Sequence, residues 1–436
     1  MSLPRILIIG QSFCDFRGGG ITMKNLFSQW DKDLIAVACT PHYLTLKINT
    51  AACETYYQLG EKEYKFKFPF SLIQKKFKSG PVTFTASPSE KNFASPGIRH
   101  KMVHNVLYPM MEYAGALHTL TRIELSAEFR AWLDDYQPDI IYAQAFTLEG
   151  VRFTIAVQEY LKKPMAFHMM DDWPSSISEK GPFKKYWARK IDREFRQMLD
   201  KSALLLSISE SMSDEYKRRY GKDFIAFHNP INIEFWKKFQ RTQYVLNDQP
   251  YILYSGRVGI GIDASLELIA KAVEKVNAEQ HTTLRFVVRA EEKPGWIDNY
   301  PSSEHQNFVA YEDVPAVLAA ADILALPYDF SEEAIKFIKY SMPTKASEYM
   351  MSGTPVLLFA PPGTALVDYA SKYHCFETNT INTVEAVASA ITKLITDENR
   401  RRQLSETAIS LAEKNHNAAD ISAEFNRLLC ALLPKA

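Results

Sequence analysis

The stretch that decides the fold is SMPTKASEYMMSGTPVLLF, residues 341–359. Pro343 suits the first turn of a helix, because proline has a helical φ and lacks an N–H that would need a partner there. Gly353 suits the left-handed residue that ends a helix, and Pro355 prevents the helix from continuing. The apolar run 356–359 is typical of a strand buried in a parallel sheet. The stretch therefore predicts a helix with an open N-terminus, followed by a buried strand, and such N-termini bind phosphate.

Short apolar runs of the same kind recur in two series, each run followed by a turn and an amphipathic segment. The first series lies at 5–10, 34–39, 139–144, 165–170, 204–209 and 224–229, and the second at 251–256, 284–289, 307–311, 323–328 and 356–360. Alternation of strands with helices is typical of parallel sheets covered on both faces. We therefore predict an α/β fold with two doubly wound, Rossmann-like parallel-sheet domains.

The length of the chain also favours two domains, because 436 residues exceed one ordinary core. The polar segment 233–249 separates the two series of strands. We place the first domain at 1–235 and the second at 236–414. We expect a C-terminal helix at about 415–436 to pack back on the first domain.

Composition argues against several classes of function. The 51 basic and 51 acidic residues give a formal net charge of zero, which disfavours a nucleic-acid-binding protein that relies on bulk charge. The five cysteines are scattered without metal-ligand spacing, as is typical of reduced thiols in a cytoplasmic protein. No apolar run approaches the roughly 18–20 residues that cross a membrane. We expect a soluble, cytoplasmic protein.

A glycine-rich segment follows the first strand of each series. Gly18, Gly19 and Gly20 would let the backbone pass close to a ligand, ahead of a helix that opens at about Thr22. The pattern is neither the dinucleotide fingerprint nor a phosphate-binding P-loop. A plain tight loop is therefore the alternative.

The second glycine-rich segment, 255–261, carries an arginine. Arg257 follows Ser255 and Gly256 at the carboxyl end of a strand, where open α/β sheets bind ligands. Its guanidinium group suits a diphosphate, although a surface arginine in a loop is a serious alternative. Asp263 is predicted to cap the next helix.

His168 and two acidic residues lie at the end of another predicted strand. A histidine within an apolar run is more often a satisfied core residue than a catalytic one. Asp171 and Asp172 point in different directions and lack a third ligand with suitable spacing, so we interpret them as solvated or capping acids. No metal site is predicted.

Taken in order, the motifs resemble the retaining glycosyltransferases of the GT-B fold, group 1 or family 4-like. The matching segments are GGGI (18–21), LLLSISESMSDEYKRRYG (204–221), FHNPIN (227–232), ILYSGRVG (252–259), VPAVLAAADILALPY (314–328) and PTKASEYMMSGTPVL (343–357). The resemblance covers almost the whole chain, and the last motif is the most specific. It implies GT-B architecture, with two domains facing a cleft, and an enzyme of the hexosyltransferase type.

The resemblance also implies a site for a nucleotide-diphosphate sugar. The helix that contains Glu348 would direct its N-terminus at the diphosphate, and Glu348 would receive the ribose hydroxyls. His168 matches a histidine near the donor sugar, so His168, Arg257 and Glu348 are the expected catalytic residues. No metal or other cofactor is implied, because cations and the helix dipole stabilise the leaving group. The expected donor-binding residues are Gly19, Gly20, Ser255, Gly256, Arg257, Tyr340, Ser341, Thr344, Lys345 and Glu348.

Two positions depart from the family pattern. Tyr340 stands where the family commonly has a glutamate that touches the transferred sugar, and Ile262 stands where it usually has a lysine. Lys345 is a candidate to supply part of the missing charge. A non-catalytic member that binds a nucleotide sugar or a partner protein is therefore the alternative. A 2-epimerase of the same fold is disfavoured, because its acidic and histidine signature is absent.

Two segments of the first domain, which holds the acceptor in this family, mix cations with aromatic rings. They are FKKYWARK (183–190) and the segment 65–78, which includes Lys65, Lys75, Lys76 and Lys78. Such segments can contact the headgroup layer of a membrane, although solvated faces with inward-turned rings are an equal alternative. Membrane contact would imply a peripheral protein at the inner membrane face, with a lipid-linked saccharide acceptor for a surface polysaccharide. Without it, a soluble saccharide acceptor is expected.

Overall fold

A computed structural model describes residues 3–15, 18–44, 48–68, 71, 76–84, 108–113, 121–176, 181–259 and 261–434, with the backbone alone at 108 and 112. The chain divides into two compact units. Unit 1 comprises Met1–Phe227 and Ser422–Ala436, and unit 2 comprises His228–Ile421. The limits of 235 and 414 lie near these boundaries and stay a prediction about domains. Among the described residues, no helix combines the length and the apolar character needed to cross a membrane.

Within the described residues, unit 1 is built on an eight-stranded sheet and a two-stranded ribbon. Its strands are β1 (Ile6–Ile9), β2 (Ile35–Cys39), β3 (Thr55–Gln58), β4 (Tyr64–Phe66), β5 (Gly80–Val82), β6 (Thr121–Ile123), β7 (Ile140–Ala143), β8 (Met165–Met169), β9 (Leu204–Ser207) and β10 (Ile225–Ala226). The sheet order is β10-β9-β8-β7-β1-β2-β3-β5, and its pairings are parallel except that of β3 with β5. The ribbon pairs β4 with β6. All six strands predicted in the first series are confirmed.

Three helices of unit 1 begin after a residue whose side chain caps them. Ser126, Thr147 and Ser209 each accept the backbone N–H three residues further on. The helices are Gly18–Leu26, Pro41–Leu44, Tyr108–Tyr113, Ala127–Tyr136, Leu148–Leu161, Trp173–Ser176, Lys184–Lys201 and Glu210–Tyr220, with a 3-10 helix at Lys32–Leu34. The last helix of the chain, Ala418–Cys430, contributes Phe425 to the core of unit 1, where its ring meets that of Phe27.

Unit 2 contains a six-stranded sheet whose pairings are all parallel within the described residues. Its strands are β11 (Tyr251–Ser255), β12 (Arg285–Arg289), β13 (Ser303–Gln306), β14 (Ile323–Pro327), β15 (Val356–Phe359) and β16 (Glu377–Asn379), in the order β13-β12-β11-β14-β15-β16. Its helices are Ile233–Lys237, Asp263–Gln280, Val314–Ala320, Glu332–Ile338, Thr344–Ser352, Ala365–Tyr373, Val384–Thr396 and Glu398–Asn415, with 3-10 helices at Ile297–Asn299 and Tyr311–Asp313.

One strand prediction in the second series is wrong. The run 307–311 is irregular backbone that leads into the 3-10 helix Tyr311–Asp313, and β13 lies just before it. β13 is an edge strand with the polar sequence SEHQ, so pairing with β12 defines it rather than apolar content. Phe308, the large apolar residue of the predicted strand, is exposed.

Both main sheets are doubly wound. β1 in unit 1 and β11 in unit 2 lie inside their sheets. In unit 1, β2, β3 and β5 lie on one side of β1, and β7 to β10 lie on the other. In unit 2, β12 and β13 lie on one side of β11, and β14 to β16 lie on the other. The strand order reverses between β1 and β7, and again between β11 and β14. Sheets of this kind bind ligands beside the reversal, at the carboxyl ends of the strands. The predicted fold class, α/β with two doubly wound parallel sheets, is confirmed.

Candidate functional site

The candidate site lies in unit 2, where the strand order reverses beside β11. The glycine-rich segment 255–261 leaves the carboxyl end of β11, and the helix Thr344–Ser352 precedes β15. The buried Tyr349 of this helix holds the two together, because its hydroxyl accepts the backbone N–H of Ser255 at 3.2 Å. The N-terminus of the helix therefore belongs to the edge of the sheet at which ligands bind.

The N-terminus of this helix offers backbone donors. Thr344 is the first helical residue, and Pro343 is the cap, with φ −70° and ψ 143°. The prediction that Pro343 occupies the first turn is wrong, because its ψ is extended while its carbonyl accepts the Ala346 N–H at 3.0 Å. Within the described part of the chain, the N–H groups of Thr344 and Lys345 have no partner. Gly353 ends the helix with φ 76°, as predicted.

Lys345 packs against an aromatic ring, in space that is open because residue 256 is glycine. Its ammonium lies 4.5 Å from the centroid of the Tyr254 ring and donates to the Tyr254 hydroxyl at 3.2 Å. A Cβ at Gly256 would lie 1.6 Å from the same nitrogen. Burial lowers the pKa of Lys345 to about 8, because desolvation disfavours the charged form. Tyr254 gave no functional signal in the sequence, since an aromatic residue within a strand is typical of a core.

Glu348 lies one helical turn after Lys345, on the same side of the helix. Burial raises the pKa of its carboxyl group to about 7, and the charge of Lys345 opposes that rise. Among the described residues, Glu348 accepts no hydrogen bond and forms no ion pair. Glu348 is half-buried, and its carboxylate has no partner of its own within the described residues, which is typical of a group that binds a ligand.

A second helix begins beside β11, but a carboxylate of the protein already occupies its N-terminus. The helix Asp263–Gln280 starts after Ile262, and Asp329 accepts the Ser265 N–H at 2.8 Å. The prediction that Asp263 is the cap is therefore wrong, because it is the first helical residue. Ile262 is buried in the core of unit 2, so the position that carries a lysine in the family is structural here.

Other predicted donor-binding residues of unit 2 differ in what they can offer. The Ser341 N–H is bonded to the carbonyl of Ile338 at 3.0 Å, so it is not available as a backbone donor. Tyr340 is partly exposed, and the Lys339 ammonium lies 5.1 Å from its ring centroid. Arg257 is exposed, and its carbonyl accepts a short hydrogen bond from Tyr254. The protein thus groups Gly256, Arg257 and Lys345 around Tyr254.

In unit 1, His168 lies inside the sheet. It is buried in β8, and its Nδ1 meets the Tyr142 hydroxyl at 2.7 Å. Its Nε2 has no hydrogen bond of good geometry within the described residues. Burial lowers the pKa of His168 to about 3, against a smaller opposing effect of the Ser207 backbone. The imidazole is therefore neutral at physiological pH.

The first glycine-rich segment is helical rather than a loop. The helix Gly18–Leu26 includes all three glycines, so the expected start near Thr22 is wrong. A Cβ at Gly20 would lie 2.7 Å from the backbone nitrogen of Cys14, and one at Gly19 would lie 2.8 Å from Gln11 Nε2. Close packing against the chain after β1 therefore explains Gly20 without a ligand.

Asp172 is not a solvated acid, although it directly precedes the helix Trp173–Ser176, as a capping residue would, and its carboxylate accepts the Ser175 hydroxyl. Asp172 is buried, and Arg219 donates to both its oxygens at 2.9 and 3.1 Å, while Tyr216 donates at 2.7 Å. A buried carboxylate needs such partners, which the sequence supplies more than forty residues away. In the described part of the chain, no group of three or more His, Cys, Asp or Glu side chains is arranged to hold a metal ion.

A family comparison covers the unit that contains Lys345 and Glu348. Residues 249–397 match the family described as glycosyl transferases group 1. The chain carries a group 1 glycosyltransferase domain. The prediction that the protein is a glycosyltransferase of this group is thereby confirmed. No curated protein sequence matches the chain.

Solved structures of other glycosyltransferases share the fold over nearly the whole chain. Sucrose-phosphate synthase from Thermosynechococcus elongatus is 14% identical, with a TM-score of 0.64, over 98% of each chain. HepE from Anabaena, in complex with UDP and glucose, is 13% identical, with a TM-score of 0.58, over 98% of this chain and 100% of that one. WaaG, a glycosyltransferase involved in lipopolysaccharide biosynthesis, is 14% identical, with a TM-score of 0.57, over 97% and 99%. At these identities the likeness establishes the fold.

Proposed function

We propose that this glycosyltransferase transfers a sugar from a nucleotide-diphosphate sugar to a saccharide acceptor, with retention of anomeric configuration and without a metal. The observation that carries the proposal is the open N-terminus of the helix Thr344–Ser352, with Lys345 beside it. Free backbone N–H groups, the helix dipole and an ammonium group converge where a doubly wound sheet binds ligands. That combination suits a diphosphate.

The arrangement favours one of the two helix N-termini beside β11. Asp329 satisfies the start of the helix Asp263–Gln280, so an anionic ligand would meet a carboxylate there. The N–H groups of Thr344 and Lys345 carry no such competitor. Arg257 and Lys345 then supply the cations that stabilise the charge developing on the departing nucleoside diphosphate. This task is the main electrostatic demand of the reaction, and it needs no metal ion when such cations are present.

Glu348 is the proposed acceptor for the ribose hydroxyls. Its half-buried carboxylate has no hydrogen-bond donor among the described residues, and two ribose hydroxyls would provide two donors. HepE, which shares the fold, has been solved with UDP and glucose and with UDP-glucose. These complexes support a nucleotide-sugar donor for the present enzyme.

The acceptor is proposed to be a saccharide, free or lipid-linked, used in polysaccharide or glycan biosynthesis on the cytoplasmic side. Support for the lipid-linked form comes from the exposed aromatic residues of unit 1. Phe68, Phe183 and Tyr186 are exposed beside lysines, and only Trp187 of the segment 183–190 is buried. Rings and cations exposed together are typical of peripheral membrane contact.

The alternative function is non-catalytic binding of a nucleotide sugar or a partner protein. Burial of Ile262 favours this alternative, because the position at which the family usually has a lysine supplies no cation to a ligand here. A protein that only binds a nucleotide sugar would differ from the enzyme in turnover and not in donor binding, whereas a protein that binds only a partner protein would bind no donor. A donor panel followed by an activity assay therefore separates them.

The first experiment is a thermal-shift screen of the purified protein against nucleotide sugars. A ligand at a hundred times its dissociation constant stabilises the fold by about 2.7 kcal/mol. The stabilising donor is then incubated with saccharide acceptors, with and without EDTA, and the anomeric configuration of the product is read by NMR. We expect retained configuration and an EDTA-insensitive rate. Donor binding without hydrolysis or transfer would support the binding protein instead, and inversion or loss of rate with EDTA would contradict the mechanism.

A further inference from the structure

Unit 1 contains a basic pocket of about 400 Å³ that is separate from the residues of the proposed donor site. Four cationic residues line it: Lys67, Arg122, Arg152 and Lys190. Apolar wall is contributed by Ile123 and Ala156. The volume falls within the range of small-molecule sites.

Three parts of the chain build this basic pocket. The β4–β6 ribbon supplies Arg122 and leads directly into Lys67, the helix Leu148–Leu161 supplies Arg152, and the helix Lys184–Lys201 supplies Lys190. The fold thus brings together the two segments of mixed cations and aromatic rings, 65–78 and 183–190. Their convergence on one pocket could not be seen from the sequence, where more than a hundred residues separate them.

The charges of the basic pocket do not cancel. Arg152 forms a two-pronged ion pair with Glu194, at 2.6 and 3.0 Å, and Arg122 pairs with Glu124 at 2.8 Å. In contrast, the ammonium groups of Lys67 and Lys190 form no ion pair within the described residues. Two positive charges therefore remain in excess among the lining residues and their ion-pair partners, and one remains when Glu149 is also counted, whose carboxylate accepts the Thr121 hydroxyl at 3.4 Å.

Lys190 is fixed rather than loosely solvated. Its ammonium lies 5.3 Å from the Trp187 ring and 5.8 Å from the Tyr186 ring. Trp187 is buried, so it anchors this part of the helix and with it the lysine. A cation held over two rings loses less conformational freedom when a ligand binds.

We propose that this basic pocket binds a phosphomonoester group, carried by a lipid headgroup or by a soluble molecule. A phosphomonoester bears a charge of about −1.5 to −2 at pH 7 and presents three acceptor oxygens. The two ammonium groups without an ion pair match that charge, and the two guanidinium groups offer further hydrogen-bond donors to the phosphate oxygens. The site is additional to the diphosphate site of unit 2 and does not depend on the proposed reaction.

The test compares two variants with the same loss of charge. Lys67→Gln/Lys190→Gln removes the two uncompensated cations of the basic pocket. Lys162→Gln/Arg193→Gln removes the cation at the C-cap of the helix Leu148–Leu161 and one from the helix Lys184–Lys201, without touching the pocket lining. Circular dichroism and thermal melting establish that both variants fold.

Two probes distinguish the sources of the phosphate. Calorimetry with glycerol 3-phosphate reports a soluble ligand, and sedimentation with phosphatidylcholine vesicles containing phosphatidic acid reports a lipid. We expect at least one probe to bind the wild type and the control variant, with at least tenfold weaker binding to Lys67→Gln/Lys190→Gln. Binding of vesicles alone identifies a lipid headgroup, and binding of glycerol 3-phosphate alone identifies a soluble ligand. Equal binding by the two variants, or no binding of either probe to the wild type, would overturn the proposal.

Discussion

The ammonium of Lys345 occupies the space that a side chain at residue 256 would fill. A Cβ built on Gly256 would lie 1.6 Å from Lys345 Nζ, 2.5 Å from its Cε and 2.9 Å from the Tyr254 hydroxyl. All three are ends of side chains, so an added methyl group would displace them rather than the backbone. Gly256 is therefore the residue that permits the lysine to lie between the helix Thr344–Ser352 and the end of β11.

This relationship predicts that Gly256→Ala damages the donor site while the protein remains folded. Displacement of the Lys345 ammonium removes one charge-assisted contact to the diphosphate, worth about 1.5–3 kcal/mol, or roughly tenfold or more in affinity. Calorimetry with the nucleoside diphosphate measures the loss. Gly295→Ala is the matched control, because a Cβ there meets nothing within 4 Å. Similar affinities of the two variants would show that Lys345 does not contact the ligand.

Glu348 and Arg257 are expected to contact different parts of the nucleotide, the ribose and the diphosphate respectively. Glu348→Ala should weaken the nucleoside, the nucleoside diphosphate and the donor sugar alike by about 2–4 kcal/mol, because two hydrogen bonds to a charged acceptor are lost. Arg257→Ala should weaken the diphosphate but leave the bare nucleoside nearly unchanged. Calorimetry with the three ligands separates the roles. Unchanged nucleotide affinity in Glu348→Ala would remove this residue from the site.

The affinity for the nucleoside diphosphate should pass through a maximum between pH 7 and pH 8. Burial raises the pKa of Glu348 to about 7, so below that pH the carboxylate gains a proton and loses its capacity to accept two hydrogen bonds. Burial lowers the pKa of Lys345 to about 8, so above that pH the free protein loses the cation. Calorimetry from pH 5.5 to 9.5 measures both limbs.

Two variants assign the limbs of this pH profile. Glu348→Gln should abolish the fall on the acid side, and Lys345→Met should abolish the fall on the basic side. The phosphate of the ligand also titrates near pH 6, and comparison of each variant with the wild type removes that contribution. A profile that is the same in all three proteins would show that neither residue titrates in the site.

A structural feature of this protein could be predicted from the sequence when the residues that determine it lie within one segment. The helix ending at Gly353 and the strand after it were predictable, because glycine at positive φ and the apolar run lie within one segment. The cap of the helix Asp263–Gln280 was not predictable, since Asp329 reaches it from a distant loop. The edge strand β13 was missed for the same reason, because its pairing partner defines it.

The same distinction between local and distant features applies to the candidate site. Glu348 and Lys345 could be named from the motif around them, but the shifts of their pKa values could not. Those shifts arise from burial, and for Lys345 the surrounding residues include Tyr254 in β11 and Gly256 in the loop after it. The environment of Asp172 was likewise hidden, because Arg219 lies on a later helix. Sequence motifs thus identified residue types, whereas the packing between loops determined their electrostatics.

His168 is expected to act on the donor sugar and not on the nucleotide. His168→Ala should lower turnover while the affinity for the nucleoside diphosphate stays close to that of the wild type. Because burial lowers its pKa to about 3, His168 should contribute no ionisation near pH 6.5 to the rate profile. Tyr142→Phe is the control, since it removes the hydrogen bond to Nδ1 and keeps both rings. Equal losses of turnover and affinity in His168→Ala would mean that the histidine is structural.

The last prediction concerns membrane contact by unit 1. Lys76, Phe77 and Lys78 are exposed, whereas Lys75 lies outside the described residues. We expect the protein to sediment with anionic liposomes at low salt and to be released at high salt, because contacts between lysines and anionic lipid are screened.

Charge reversal of Lys75, Lys76 and Lys78 to glutamate should abolish this sedimentation. The same change of net charge made at Lys271, Lys275 and Lys293 of unit 2 is the control, and it should leave sedimentation intact. Loss in both variants would indicate attraction by net charge alone. A protein that stays in the supernatant at low salt would exclude membrane contact under these conditions and favour a soluble saccharide as the acceptor.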